Sequence, residues 1–169
     1  VVRDYYGGVE PSRPTTSSPS FTQIAMKYAL EEPARQLSGA GDYPAAARAA
    51  IREMFRQVGP WEIREGLLVR GVLIRHLVLP GQLENTRRVI DWVAETFRPG
   101  EVLFSLMSQY TPLESLDAVK YPELNRKVPE YAYEKLVDYA ISLGVMQAFI
   151  QEGDTAKESF IPPFTLEGV

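Results

Sequence analysis

The apolar positions of this chain change their period along its length. Over residues 70–81 they run almost without a break, RGVLIRHLVLPG. A continuous run bounded by Gly71 and by Pro80-Gly81 predicts a strand buried on both faces, as in a parallel sheet covered by helices. Before and after it the spacing is helical. Ala47, Ala50, Ile51, Met54, Phe55 and Val58 recur every three or four residues. They predict a helix with Asp42 as its cap, Pro44 in its first turn and Gly59-Pro60 as its stop. Over 85–97, Val89, Ile90, Val93 and Phe97 form a second apolar stripe, with Arg87, Arg88, Asp91 and Glu95 facing water and Arg98-Pro99-Gly100 ending the helix. Pro129 opens a third, with Tyr133, Leu136, Val137 and Ala140 inside and Gly144 at its end.

Shorter segments fill the gaps. FTQIAMKYAL, from Phe21, alternates in polarity and predicts a short strand with Lys27 near its end. EEPARQLSGAGDYP reads as a helical turn and a small-residue connection, and 61–66 as a polar connection. Residues 101–110, EVLFSLMSQY, predict a strand that is apolar first and polar at its C-terminal end. The connection over 111–128 is long for a segment without regular structure, which marks it as a functional loop. Residues 145–151 predict one more strand, and the tail after it an irregular cover. Residues 1–20, rich in Pro, Ser, Thr and Gly and without a period, predict a mobile arm ahead of one domain over 21–169.

Strand and helix therefore alternate, which predicts an α/β fold. Its parallel strands, joined by right-handed helical crossovers, would form an open parallel sheet or a partial (βα) barrel. Lys27, Gln109, Tyr110, Gln151 and Glu152 all fall at or near strand C-terminal ends, where such folds keep their sites.

Composition narrows the chemistry. With 169 residues, 45% hydrophobic and 24% charged, the chain has the ordinary make-up of one soluble domain. No apolar run approaches the roughly 18 residues of a membrane span, and no signal-like start is visible. A cytoplasmic location without a membrane partner is the expectation. A net charge of -4 and a pI near 5.1, with no basic stripe, argue against nucleic acid as a partner. The absence of cysteine excludes disulfides, thiolate nucleophiles and any thiolate-held metal or iron-sulfur cluster within this chain. A single histidine excludes a His-x-x-x-His zinc motif. No Gly-x-Gly-x-x-Gly or phosphate-loop motif occurs, and no Ser-His-Asp order suggests a hydrolase. Glu152 and Asp154 read as a solvated loop. No catalytic residue and no metal ligand is assigned.

Within 70–81 the polar pair Arg75 and His76 asks for a reason. Adjacent residues of a strand point to opposite faces, so the two serve different surroundings. One reading sends a member of the pair to a pocket or an anionic partner; the other satisfies each with backbone carbonyls or a carboxylate at a sheet end.

Several separated stretches resemble radical S-adenosylmethionine proteins, in particular the group similar to pyruvate formate-lyase activating enzyme. They are LSGAGDYPAAARAAIREMFRQVG from Leu37, RGVLIRHLVLPG from Arg70, SLMSQYTP from Ser105, YPELNRKV from Tyr121 and AFIQEGDTAKESFIPPF from Ala148. The resemblance implies the C-terminal half of a partial (βα) barrel. In the family a 4Fe-4S cluster on a three-cysteine loop cleaves S-adenosylmethionine to a 5'-deoxyadenosyl radical, which abstracts hydrogen from a protein or small-molecule substrate. This chain lacks those cysteines, so the resemblance implies a fragment that is inactive alone.

Three cofactor-binding positions follow from the resemblance. Lys27 matches the lysine of an Asp-x-Lys pattern, although Ala25 stands at the aspartate position. Arg75 matches an arginine able to pair with the cofactor carboxylate. Gln109 stands where activating enzymes place a histidine. His76, on the other face from Arg75, is expected to pack against a covering helix. Residues 1–24 do not resemble the family, which suggests an unrelated leader on a truncated or frame-disrupted reading of a longer gene. A half barrel leaves open edges, so self-association or pairing with the missing N-terminal half is expected; the competing reading is a non-catalytic interaction module using that exposed face.

Overall fold

The structure, a computed structural model, describes residues 20–65, 67–112 and 119–145. Its centre is strand β3 (Leu67–Leu77), against which three other strands pair. β1 (Ser20–Ala25) lies parallel along one side, in a register that sets Ser20 opposite Arg70 and Ala25 opposite Arg75. The other side is shared. β2 (Glu62–Arg64) pairs antiparallel with the N-terminal part of β3, and β4 (Leu103–Met107) pairs parallel with its C-terminal part, from Leu73 to Leu77. The sheet is therefore open and mixed.

The expected all-parallel sheet is corrected by β2. Within residues 61–66, read as a polar connection, Glu62–Arg64 runs back along β3 as a short antiparallel strand, followed by Glu65 at φ 53. Ion pairs of Glu62 with Arg70 across to β3 (3.4 Å) and with Arg64 on its own strand (2.7 Å) add only surface charge contacts. Gly71 makes the hairpin possible. Its φ of 131 suits glycine alone, and a Cβ there would lie 2.5 Å from the Trp61 Cβ and 2.6 Å from the Trp61 Cα.

Helices α1 (Glu31–Ser38) and α2 (Tyr43–Val58) connect β1 to the hairpin, α3 (Leu83–Thr96) connects β3 to β4, and α4 (Glu130–Ser142) closes the described chain. Asp42 stands at the N-cap position of α2 and Pro44 in its first turn, but the Asp42 side chain makes no capping bond. At the other end of the chain α4 stops as expected: Gly144, at φ 70, donates to the Ile141 carbonyl, and Val145 donates to Ala140. That 6→1 and 5→2 pair is a Schellman stop, and it returns Val145 to the core.

One face of β3 is fully buried and the other is not. Val72, Ile74, His76 and Val78 are at most 1% exposed, whereas Leu73, Arg75, Leu77 and Leu79 are half-buried. The expectation of burial on both faces thus holds for one. The buried face packs against Ile51 of α2, Val89, Ile90 and Val93 of α3, and Tyr133, Leu136 and Ala140 of α4, with Phe104 and Leu106 beside it on β4. Those helices lie on the same side of the sheet. The expected arm over 1–20, apart from Ser20 at the start of β1, falls outside the described residues, as do the tail and the strand expected over 145–151 apart from Val145, which follows the α4 stop.

Gly71→Ala is expected to destabilise the protein by about 2–3 kcal/mol, because the added methyl meets Trp61 backbone rather than a side chain that can move. Gly39→Ala provides the comparison: it shares a positive φ, but nothing lies within 4 Å of its Cβ position. Its expected cost is about 1 kcal/mol. Urea unfolding followed by circular dichroism ranks the two, and equal midpoints would refute the Trp61 contact.

Candidate functional site

The three parallel strands end at one edge of the sheet. Past β1, Met26 N–H donates to the Arg75 carbonyl (2.9 Å), and past β3, Val78 N–H donates to the Met107 carbonyl (2.9 Å). Residues 25–30 then turn beneath the helices, and a turn of that kind buries backbone groups that the sheet can no longer satisfy.

Four side chains from three elements satisfy them instead. The Tyr43 hydroxyl of α2 donates to the Ala25 carbonyl (2.5 Å) and accepts from Lys27 N–H (3.0 Å). Asn85 of α3 accepts at Oδ1 from Ala29 N–H (2.8 Å) and Leu30 N–H (3.2 Å), and donates from Nδ2 to the Lys27 carbonyl (3.1 Å). Arg48 of α2 donates to the Ala29 carbonyl (2.9 Å). Leu30 is the N-cap of α1 and has no side chain to offer, so Asn85, 2% exposed, holds the chain as it enters that helix. Burial raises the Tyr43 pKa above the ordinary phenol value, which keeps its proton on the donating oxygen.

His76 completes the set. Its Nδ1 lies 2.6 Å from the Met26 carbonyl and its Nε2 2.9 Å from the Thr86 hydroxyl of α3. A carbonyl can only accept, so Nδ1 carries the proton and Nε2 accepts from Thr86. Desolvation by burial lowers the His76 pKa to about 4, against a smaller opposite effect of the Met26 carbonyl. The expectation that His76 packs against a covering helix is met by α3.

Arg75 faces the other way. Its register neighbours are Ala25 on β1 and Ser105 on β4, both small. The guanidinium Nη2 lies 3.0 Å from Met107 Sδ, a weak acceptor, and among the described residues no carboxylate forms an ion pair with it. Lys27 continues the alternation of β1: Met26 is buried in the core and Lys27 is exposed. Gln109 is half-buried two residues beyond the end of β4. The structure thus brings Lys27, Arg75 and Gln109 to one edge of the sheet.

Part of the long connection folds over that edge. A 3-10 turn (Pro122–Leu124) replaces the expected irregular loop there; residues 113–118 lie outside the described part. It is fastened by Tyr110 Oη donating to the Leu124 carbonyl (2.8 Å) and Tyr121 Oη donating to the Gln36 carbonyl (3.2 Å). Glu123 packs so closely on Gly81, at φ 77, that a Cβ there would lie 2.6 Å from the Glu123 Cγ. A cleft of about 10 Å³ among Phe97, Val102 and Val145 sits at the opposite end of β4 and has room for one water. Among the described residues no group of three His, Asp or Glu is placed to hold a metal ion.

Asn85, Thr86, Tyr43 and Arg48 were not candidates on sequence grounds. The available signal was Asn85 and Thr86 themselves, which precede Val89 and Ile90 by four residues and so fall on the apolar stripe of α3.

The His76 environment makes stability depend on pH. The unfolded chain binds a proton near pH 6.5 and the folded chain only near pH 4, so His76 contributes fully above pH 6.5. That contribution falls as the pH drops from 6.5 to about 4 and is level below. The expected loss is about 3 kcal/mol across this window. Urea unfolding of the wild type and of His76→Gln at a series of pH values isolates it: the difference between the curves should shrink through the window, and parallel curves would refute it.

Known protein-family models, curated proteins and solved structures contain no match to this chain, and among its described residues no helix is long and apolar enough to cross a membrane.

Proposed function

We propose that the described residues form part of a radical S-adenosylmethionine-type partial barrel, and that the sheet face carrying Arg75 binds the carboxylate of S-adenosylmethionine. The supporting observation is the order of the parallel strands. β1, β3 and β4 are neighbours in chain order, and the packed helices share one face. A doubly wound sheet puts helices on both faces, whereas helices packed on one face suit a (βα) barrel segment. β2 departs from the barrel plan, as a hairpin on the flank of β3.

The inner face of such a segment is the one opposite the helices, and its sites lie at the strand C-terminal ends. Arg75 occupies that face with a thioether as its partner, so a carboxylate would give its fork a stronger acceptor. Lys27 adds a second positive charge at the same edge, and Gln109 an amide. The iron-sulfur cluster of the family does not fit this chain, which has no cysteine to hold it. Cofactor cleavage is therefore not assigned to it, and on this reading the chain alone is inactive.

A second reading rests on a different observation. Leu73, Leu77, Leu79 and Met107 are half-exposed on the sheet face that the packed helices leave open. A row of this kind suits a non-catalytic interaction module that pairs with a second copy or with a separate N-terminal half.

Titration calorimetry with S-adenosylmethionine separates the two. The cofactor reading expects saturable heat, with affinity about tenfold lower or worse in Arg75→Ala, as for loss of a charge-assisted hydrogen bond. No heat at high ligand concentration favours the interaction module, for which sedimentation should show self-association. A stable monomer without heat would reject both.

A further inference from the structure

α2 and α3 meet at Trp92, a buried member of the core cluster, and four unfavourable features coincide there. Arg48 and Arg52 stand four residues apart on α2, with their guanidinium carbons 5.9 Å and 5.6 Å from the centre of the Trp92 ring. Like charges at that spacing repel each other. Neither forms an ion pair with a described carboxylate; Glu53, the acid that follows Arg52 in sequence, is engaged by Arg56 and Gln57. Arg48 Nε is buried without an acceptor, and so is Nε1 of Trp92, a residue only 7% exposed. A buried donor without a partner is costly, and native structures keep few of them.

We propose that the α2–α3 contact at Trp92 is a binding site for a phosphate monoester, which would answer all four features with Arg48 and Arg52 as the charge and Trp92 Nε1 as a further donor. Charge selects phosphate over carboxylate, since two guanidiniums match a group that carries close to two negative charges at neutral pH. So does the number of acceptors. Two oxygens of a carboxylate serve fewer donors than the three of a phosphate monoester. Arg48 is fixed by its bond to the Ala29 carbonyl, whereas Arg52 is exposed and can close over a ligand. The site lies among the helices that cover the sheet face opposite Arg75 and does not depend on the cofactor reading.

The chain's two tryptophans supply the test. Trp61 Nε1 is also buried and unpartnered, and is an internal control. In ¹H–¹⁵N spectra at pH 7.5, with ionic strength held by sodium chloride and the indole signals assigned by Trp61→Phe, inorganic phosphate should shift the Trp92 indole saturably and leave Trp61 in place. Arg52→Gln, at an exposed position, should weaken that binding about tenfold or more while the rest of the spectrum is unchanged. Glycerol phosphate and a phosphoserine peptide then distinguish a small molecule from a modified protein as the source, and one of them should bind more tightly than phosphate. The proposal is overturned by an unmoved or unsaturable Trp92 signal, by equal shifts of both indoles, or by binding unaffected in Arg52→Gln. Acetate equal to phosphate, or neither ester exceeding it, overturns the monoester assignment.

Discussion

A backbone that leaves a strand and turns under a helix layer must find a partner for each amide and carbonyl it takes out of water. In this protein that obligation falls on residues 25–30, and it is met by Tyr43, Arg48, His76 and Asn85 rather than by local capping residues. The consequence is mutual dependence. α2 and α3 are positioned by the turn they hold, and the turn fixes where Lys27 leaves the sheet. Replacing Asn85 or His76 with an apolar group would strand a buried partner, and that loss exceeds the modest net value of the bond itself.

The same strand separates two kinds of chemistry by its pleat. On one face His76 is neutral, enclosed and committed to structure, with both ring nitrogens occupied. On the other, one residue earlier, Arg75 keeps a permanent charge at a half-buried position beside small neighbours. A histidine can enter the core because loss of its charge removes most of the desolvation penalty; an arginine has no such route. The strand therefore had one arrangement open to it, with the titratable residue inward and the permanent cation outward.

The alternation of strands and helices was legible because both periods are long enough to read. α2, α3 and α4 carry apolar stripes of three or four turns, and their residues Ile51, Val89, Ile90, Val93, Leu136 and Ala140 are in the core as the spacing indicates. The hairpin was not legible. Glu62–Arg64 is three residues, polar and at an edge, too short for a period and lacking the apolar face that would reveal it. Nor could the open face of β3 be distinguished from the closed one, because leucine serves a half-covered surface as well as a core. The contacts at residues 25–30 stayed hidden for another reason: their partners are separated by up to 58 positions in the chain, and hydrogen bonds of that reach leave no spacing to detect.

What the apolar pattern does reveal at a site is its exceptions. Asn85 and Thr86 interrupt the inward stripe of α3, and both turn out to be buried and bonded. Arg75 interrupts β3 and has only a thioether. An interruption with its bonds complete explains itself by the backbone or ring it holds, as Asn85 and Thr86 do. Arg75 has no such account within the described residues, and over Trp92 the Arg48 side chain holds the Ala29 carbonyl yet keeps its Nε without an acceptor. Physical reasoning about function in this chain therefore starts at those two places, since among the described residues they are where a charged donor lacks a strong acceptor.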